Sequence, residues 1–594
     1  MQKKITIFLL FLSISVFSQE AQLADSYFRK GEYEKAITLY KPLHLANPIR
    51  RDYLKKLLSC YQQTEKYDEA NNLLQNQLSN FPNQTYLNVE IGYNYQLRGQ
   101  LNEAEIYYEK SLNFVREIPN YVFIIGRVFQ QNHLLDYALE AYRIAKSLNP
   151  KLNTEISEAQ IHGEKGDLEK MFNLYLDLIE KNEKYYPTIQ RYTASFITED
   201  KNNKTNILFR KLILKRLQNN PKDSWNILLS WLYMQQKDFD KALVQEKSLY
   251  NRNHKNLERI IEVGMVSFDK NDLLTAKSSF QFILENSADQ KINLQSQIYL
   301  LRIEEKLASS KNELESIEKK FLILIDQYGN TNTSIELQIA YANFLSYKLN
   351  QSEKAIEILR GIVPLANSKY QKGSILINLA DILVFTSQFN QALILYSQVQ
   401  TDVKNSTIAQ EARFKVAQTS YFKGDFKWAQ TQLKVLKSST SQLIANDALE
   451  LNLLISNNIA NDSIQDALKL YAKADLMSYQ HKYDQAIDTL DSVLINYKGH
   501  AIEDDAVFKQ AELYIIKGDF ESAEKNFLNL IQNNPESILL DDTYFQLAEL
   551  YENKLNDKDL AKEMYEKIIF DFPSSIYLVE ARKRFRVLRG DEIQ

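Results

Sequence analysis

The sequence predicts an all-α protein built from helical hairpins that stack on one another as a solenoid. Four alanines recur every 34 residues, and a fixed period of that length indicates one hairpin repeated along the chain. Glycine and proline number only 14 and 10 among 594 residues, which favours helix over strand. The four alanines are Ala36, Ala70, Ala104 and Ala138.

Each copy shows the same order of small, large and helix-breaking residues around its alanine. Twelve residues before the alanine lies a small residue, such as Gly92 or Gly126, which would let two antiparallel helices approach closely. Four residues after it, a large side chain such as Tyr108 would share its helical face. Left-handed turns are expected at Gly31, Gly99, Gly166, Gly424 and Gly518, helix ends at Pro48, Pro82, Pro150, Pro221, Pro535 and Pro573, and kinks or early stops at Pro42 and Pro364.

The N-terminus predicts an export signal rather than a hairpin. Lys3 and Lys4 precede an apolar stretch over 5–17, and a small residue, Ser18, follows. A helix of that length rises roughly 20 Å, short of the ~30 Å hydrocarbon core, although a short uncleaved anchor is the alternative. We expect cleavage after Ser18 and a periplasmic protein, soluble or associated peripherally with the outer membrane through its partners, without a transmembrane segment.

Charge and cysteine content argue against a nucleic-acid-binding protein and against a disulfide-stabilised fold. Without residues 1–18, which hold two of the 72 basic residues and no acid, 70 basic and 76 acidic residues give a net charge of −6. Nucleic-acid binding is not expected, because it requires a basic surface. Cys60 is the single cysteine, so no internal disulfide can form, and we interpret it as a packing residue.

These positions resemble the tetratricopeptide repeat, as in the segments from Tyr27 to Ile37 and from Tyr421 to Phe426. The resemblance implies a right-handed superhelix whose concave groove holds a protein or peptide. Later copies stretch to 37 or 38 residues and are similar to periplasmic outer-membrane assembly and cell-division coordination proteins. Their acid pairs, Asp504-Asp505 and Asp541-Asp542, are more simply explained as charges that favour helix N-termini.

The predicted organisation follows the regularity of the copies. A signal peptide (1–18) precedes a regular array (19–185), degenerate helical repeats (186–335) and further repeats (336–436). An irregular helical or loop region (437–468), with loops expected at Ser438–Ser441 and Asn457–Asn461, leads to C-terminal repeats (469–590). The last stretch, 576–588, should form an amphipathic capping helix, and its basic cluster has the simple explanation of complementing the helix dipole.

No catalytic, cofactor-binding or metal-binding motif is recognisable, and no enzyme activity or cofactor is expected. The six histidines are scattered, and none lies three or four residues from another. Counting along the first helix of each repeat, as the resemblance implies, gives candidate partner-binding residues in the groove. Their alternative is the core between repeats. They are Tyr86, Tyr93, Phe123 and Arg127 in the first copies, and Trp231, Met265 and Phe268 further on.

Three functions follow as hypotheses. The first is a non-enzymatic scaffold of a bacterial cell envelope that binds a peptide or protein in its groove. The second is a fixed structural subunit of an outer-membrane assembly, secretion or cell-wall machine. The third, an envelope hydrolase or transferase, would need acid and base groups to converge in an irregular region such as 287–335.

Overall fold

The computed structural model describes residues 20–254, 256–436, 442–459 and 465–591, and every regular element within those ranges is helical. The predicted all-α fold of helical hairpins is therefore confirmed. The predicted signal peptide and the predicted loop at Ser438–Ser441 lie outside the described residues.

The chain divides into two compact units, Met1–Asp238 and Phe239–Gln594. In the first unit, α1 to α10 form five consecutive hairpins, and α11 to α13 follow with short connections. The helices are α1 (residues 20–29), α2 (Tyr33–Ala46), α3 (Arg51–Gln63), α4 (Tyr67–Asn80), α5 (Leu87–Leu97), α6 (Leu101–Glu117), α7 (Val122–Gln131), α8 (Leu135–Leu148), α9 (Glu155–Glu164), α10 (Leu168–Lys181), α11 (Tyr186–Ala194), α12 (Lys204–Asn219) and α13 (Asp223–Gln235), with 3₁₀ turns at Pro119–Tyr121 and Glu183–Tyr185.

The second unit repeats the hairpin and adds one helix, α25, between two of its copies. Its helices are α14 (Phe239–Asn253), α15 (Glu258–Asp269), α16 (Leu273–Asn286), α17 (Gln290–Leu307), α18 (Lys311–Tyr328), α19 (Ile335–Tyr347), α20 (Ser352–Ile362), α21 (Lys369–Phe385), α22 (Phe389–Asp402), α23 (Thr407–Phe422), α24 (Phe426–Leu436), α25 (Gln442–Ile459), α26 (Asp466–Tyr479), α27 (Tyr483–Asn496), α28 (Ile502–Lys517), α29 (Phe520–Asn533), α30 (Leu540–Leu550), α31 (Lys558–Asp571) and α32 (Leu578–Arg589), with 3₁₀ turns at Asn332–Ser334 and Val363–Leu365 and a π turn at Tyr551–Leu555.

The predicted small-against-large contact holds each hairpin together. A β-carbon added to Gly92 would lie 2.5 Å from the Tyr108 ring, and one added to Gly126 would lie 2.7 Å from the Tyr142 ring. The helices thus cross at a distance that only glycine allows. The periodic alanines lie beside these crossings and are at most 1% exposed: Ala36, Ala70, Ala104 and Ala138.

The hairpin turns and helix ends follow the predicted glycines and prolines, with some differences. All five predicted turn glycines have positive φ, between 75° and 83°. Other copies place Glu65, His133 or His481 in the same left-handed conformation, which composition alone does not predict. The six predicted helix-ending prolines all follow their helices, and α20 stops before Pro364. Helix α2 instead continues through Pro42 to Ala46, so no early stop occurs there.

One prediction about the irregular region is wrong. Asn457 and Asn458 do not begin a loop but belong to the last turn of α25. The helix persists because the buried Asn458 side chain donates to Asp505 of α28 at 3.0 Å and to the Leu454 carbonyl at 2.9 Å. The remainder of that predicted loop, 460–461, lies outside the described residues.

A polar chain of three side chains recurs between neighbouring hairpins in both units. A buried tyrosine, four residues after the periodic alanine, donates to a carboxylate on the first helix of its own hairpin. A cation on the first helix of the next hairpin pairs with the same carboxylate. Two examples are Tyr40–Asp25–Lys56 and Tyr396–Asp381–Lys415, and a variant is Tyr565–Glu552–Arg584, in which Glu552 lies in the π turn after α30 and Arg584 on the final helix α32. We call this arrangement the Tyr–carboxylate–cation chain.

The final helix, α32, lies on the last hairpin. Helix α32 packs on α31, with Ala581 fully buried and Phe585 and Leu588 against the same core. Its basic residues pair locally. Arg584 contacts Glu552 and Glu580, and Arg589 contacts Asp591. The basic cluster is therefore largely neutralised by the chain itself.

Candidate partner-binding cleft

In the first unit, side chains from the first helices of successive hairpins meet one another. The Lys55 ammonium donates to the Gln131 amide oxygen at 3.1 Å, and the Asn132 amide donates to the Glu90 carboxylate at 3.1 Å. Lys55 and Gln131 belong to hairpins that are two apart along the chain. We call these four residues the bridged wall. Burial raises the pKa of Glu90, against the opposing effects of Asn132 and Lys55.

The candidate residues of the first copies lie beside this wall in different environments. Tyr86 is 9% exposed, and the Arg51 guanidinium lies 4.8 Å above its ring, so it belongs to the core between repeats. Tyr93 is half-buried, whereas Phe123 and Arg127 are exposed. Of this group, these last three offer surface to a partner, and their role in binding stays a prediction.

The remaining candidates lie further along the chain, on α13 and α15. Trp231 is half-buried on α13 of the first unit, and Met265 is half-buried on α15 of the second. The Phe268 ring is engaged within its own unit. It meets Tyr299 edge-on with ring centroids 5.4 Å apart, and the Lys306 ammonium lies 4.2 Å from it. Their part in partner binding likewise stays a prediction.

The second unit contains a cleft of about 920 Å³ that sequence analysis missed. Its walls are α25 and the first helices of successive hairpins, α23, α26 and α28, and the segments that lead into α30 and α32 close one end. We call it the C-terminal cleft. Its principal lining residues are Phe414, Tyr421, Phe422, Asp447, Leu449, Glu450, Leu453, Tyr471, Asp475, Tyr479, Asp505, Phe508, Lys509, Glu512, Ile538, Asp541, Asp542 and Ile576.

Helix α25 makes this cleft because it inserts between two copies of the hairpin. Ala448 and Ile455 bury one side of it in the core, and the Gln430 amide of α24 donates to the Ser456 hydroxyl at 2.9 Å. Leu449 and Leu453 remain 45% and 43% exposed at the cleft. The inserted helix thus presents apolar side chains that no described residue covers.

Negative charge dominates the cleft. Its described lining includes seven carboxylates and one lysine. Lys509 pairs with Asp475 at 3.5 Å and with Glu512 at 3.3 Å, and Tyr421 donates its hydroxyl to Asp475 at 2.9 Å. Among the described residues, no cation pairs with the other five carboxylates, which are Asp447, Glu450, Asp505, Asp541 and Asp542.

The pKa values of these acids reflect burial and mutual repulsion. Burial raises the pKa of Asp505 to about 7, and the neighbouring Asp504 and Asp475 act in the same direction, against the hydrogen bond from Asn458. Burial also raises the pKa of Glu450, assisted by Asp447, Glu512 and Asp542. Among the described residues, the carboxylates of the cleft thus outnumber its cation, and Lys509 compensates their negative charge only in part.

The acid pairs are visible in the sequence, but their position there predicts helix N-termini and not the wall of a cleft. Asp504 and Asp505 do lie in the first turn of α28. A helix N-terminus alone would stabilise their charge. At Asp505, however, desolvation by α25 outweighs the dipole. A local pattern cannot reveal this, because the helix that buries the carboxylate lies about 50 residues earlier in the chain.

The cleft has the chemistry of a binding surface. It combines exposed aliphatic side chains with charges of one sign, but within the described ranges no group of three or more His, Cys, Asp or Glu side chains is arranged to hold a metal ion. None of the helices described here is both long and apolar enough to cross a membrane.

Comparison with known sequences identifies the hairpin. Residues 542–575, which span most of α30 and all of α31, match the family model described as Tetratricopeptide repeat. The TPR repeat-containing protein MJ1428 of Methanocaldococcus jannaschii is 26% identical over 164 residues. That match spans 27% of this chain and 28% of the relative.

Two solved structures align along nearly all of the chain. Naa15/Naa10 bound to HypK-THB aligns at 12% identity and a TM-score of 0.32, over 97% of this chain and 96% of the other. Yeast Tom70 aligns at 16% identity and a TM-score of 0.29, over 96% and 99%. These scores are too low to support any comparison of binding sites. The hairpin geometry, the family match over 542–575 and the relative all agree, and the chain contains helical repeats of the tetratricopeptide type.

Proposed function

We propose that this protein is a non-enzymatic scaffold that binds a segment of another protein in the C-terminal cleft. The observation that carries the proposal is the cleft itself. It is an uncovered space of about 920 Å³ lined by the first helices of three hairpins, with apolar side chains and unneutralised carboxylates facing it. A stable isolated chain would gain nothing from leaving both features uncovered.

Photo-cross-linking tests this function directly. A benzophenone amino acid at Leu453, in the cleft, should give one discrete adduct in cells that make the protein. The same probe at Ile394, which is 67% exposed on the second helix of a hairpin, is the matched control. The cross-linked protein, once purified, should bind the native chain in calorimetry. Equal adducts at both positions, or no binding by the purified protein, would contradict the proposal.

We also propose that the scaffold works in the cell envelope after export. The basic and apolar N-terminal segment, residues 1–18, supports this location. Mass spectrometry of the mature protein should show an N-terminus at Gln19, and fractionation should recover it from the periplasm. An intact Met1 in the purified protein would reject cleavage after Ser18.

A second candidate function is a fixed subunit of an outer-membrane assembly, secretion or cell-wall machine. The longer C-terminal copies favour it, because they contain both the family match at 542–575 and the exposed Ile538 and Ile576 at the end of the cleft. A fixed subunit should stay with washed membranes through its partners, whereas a free adaptor should be released by salt.

The region 287–335 does not favour an envelope hydrolase or transferase. Around 287–335 the charged side chains pair at the surface, as Lys320 does with Glu304 at 2.7 Å and Lys354 with Glu318 at 3.5 Å. These are ordinary ion pairs between neighbouring helices.

A further inference from the structure

We propose that the segment bound in the C-terminal cleft is a cationic amphipathic helix of a partner protein, with lysine or arginine on one face and large aliphatic residues on the other. This inference rests on the proposed function and specifies the chemistry of the partner. Because this cleft is acidic, its ligand should be cationic, whereas a basic groove would require an anionic ligand.

The charge of the partner follows from the cleft's own ion pairs. Lys509 already pairs with two carboxylates, Asp475 and Glu512, and its charge offsets the repulsion at Glu450 only in part, because the pKa of Glu450 stays raised. Glu450 has a raised pKa because it is partly desolvated and faces Asp447, Glu512 and Asp542. A cation brought by a partner would relieve this repulsion, whereas a carboxylate or phosphate would increase it.

The apolar component follows from two rows of exposed aliphatic side chains at the edges of the cleft. Leu449 and Leu453 project from α25 on one edge. Ile538 and Ile576, 65% and 84% exposed, project from the segments before α30 and α32 at the other. An occupant must therefore bury apolar side chains between these edges while its cations reach the carboxylates.

A second copy of this chain is a less suitable occupant. Arg584 and Arg589 of α32 are already paired with Glu552, Glu580 and Asp591, and α32 covers the last core. Placing α32 in the cleft of another copy would break those pairs and uncover that core. Self-association is accordingly an outcome that would contradict the proposal.

Binding of designed peptides to the purified full chain tests the chemistry. Three labelled peptides of about 18 residues share one helical pattern. The first has leucine with lysine, the second leucine with glutamate, and the third serine with lysine. Fluorescence anisotropy at about 50 mM and about 300 mM salt should show binding of the first, roughly tenfold weaker binding of the third, and no binding of the second.

Matched variants locate the binding. The triple variant Asp447→Asn, Glu450→Gln and Asp541→Asn removes three cleft charges and should weaken the leucine–lysine peptide roughly tenfold. The control triple variant Glu357→Gln, Glu521→Gln and Glu566→Gln removes the same charge from exposed positions on second helices of the same unit, and should change affinity less than about twofold. Circular dichroism confirms that both variants are folded.

The outcomes separate the inference from the function on which it rests. Equal binding of the lysine and glutamate peptides, equal effects of the two triple variants, or a dimer by light scattering that depends on the cleft charges would overturn the inference. If the protein cross-linked at Leu453 binds but the leucine–lysine peptide does not, the inference fails and the proposed function stands. If neither binds, both fail.

Discussion

The bridged wall and the C-terminal cleft are built from the same kind of hairpin but differ as surfaces. Side chains of neighbouring hairpins meet in the first and leave a space in the second. In the first unit, hairpins two apart reach each other through Lys55 and Gln131, and Asn132 reaches Glu90. In the second unit, α25 enters between two hairpins and leaves a cleft lined by carboxylates. Repeat identity therefore does not determine surface character. One inserted helix decides whether neighbouring side chains meet or leave a space.

The largest expected effect is the change in the free energy of unfolding when Asp505, the buried acid of the cleft, is replaced. The folded state keeps a proton on Asp505 up to about pH 7, whereas an ordinary aspartate releases it near 3.8. The folded state thus binds more protons across this window, and the free energy of unfolding should fall as pH rises through it. Asp505→Asn should raise that free energy by about 2–4 kcal/mol at pH 8 and flatten its pH dependence. Denaturant titrations at about pH 5 and pH 8 measure both effects.

The adjacent acid is the control for that prediction. Asp504 accepts a hydrogen bond from the Ser537 hydroxyl at 2.5 Å and takes no part in the contact between Asp505 and Asn458. Asp504→Asn should therefore keep most of the pH dependence, because burial is the largest cause of the raised pKa of Asp505 and the Asp504 charge adds to it. If both variants flatten it equally, burial of Asp505 by α25 is not its cause.

A second prediction compares equivalent lysines of the two units. Lys56 and Lys509 both lie 14 residues before a buried alanine on the second helix of their own hairpin, Ala70 on α4 and Ala523 on α29. Lys509 faces two carboxylates in an acidic cleft, whereas Lys56 pairs with Asp25. Lys509→Met should lower the free energy of unfolding by about 2 kcal/mol, because it leaves both acids unpaired.

The Lys56→Met variant is the matched measurement. It should cost about 1 kcal/mol or less, because its pair with Asp25 is partly exposed to water. Equal losses in the two variants, measured by urea unfolding, would show that the two surfaces do not differ electrostatically.

A third, smaller effect concerns the close crossing of the two helices within one hairpin of the first unit. Gly92→Ala would place a methyl group against the Tyr108 ring and should destabilise the protein by about 1 kcal/mol, after the gain in helix propensity. Gly361→Ala, where nothing lies within 4 Å, should stabilise it by about 0.5–1 kcal/mol. Thermal unfolding should show shifts of opposite sign, and shifts of the same sign would contradict the crossing.

The smallest expected effect is on partner binding through the first unit. Tyr93→Ala with Arg127→Ala should reduce cross-linking at Leu453 by less than about twofold, because neither residue lines the cleft. Helicity should not change. A larger loss than in Leu449→Ser with Leu453→Ser would make the first unit the principal binding surface.

Sequence alone predicts whatever depends on a single hairpin. Gly31 and Gly99 set turns, Pro48 and Pro82 follow helix ends, and the pairing of Gly92 with Tyr108 sets the crossing, because all of these operate within one repeat. The cleft depends instead on contacts between residues far apart in sequence. Asp505 and Asn458 are separated by 47 positions, and no local pattern distinguishes a helix-starting aspartate from a buried one.

The candidate groove residues illustrate the same limit. Counting positions along a helix locates a side chain but does not show what covers it. Tyr86 is covered by Arg51, whereas Phe123, reached by the same counting, is exposed.

The Tyr–carboxylate–cation chain has a consequence for how such an array can change during evolution. Each hairpin that contains one supplies the acid, while its successor supplies the base. If one hairpin is deleted from the middle of the array, the carboxylate before the deletion keeps an ion pair only where the hairpin that now follows it again supplies a cation. Charge matching at the seams thus restricts which repeats can be lost, duplicated or exchanged, even though their apolar cores are nearly interchangeable.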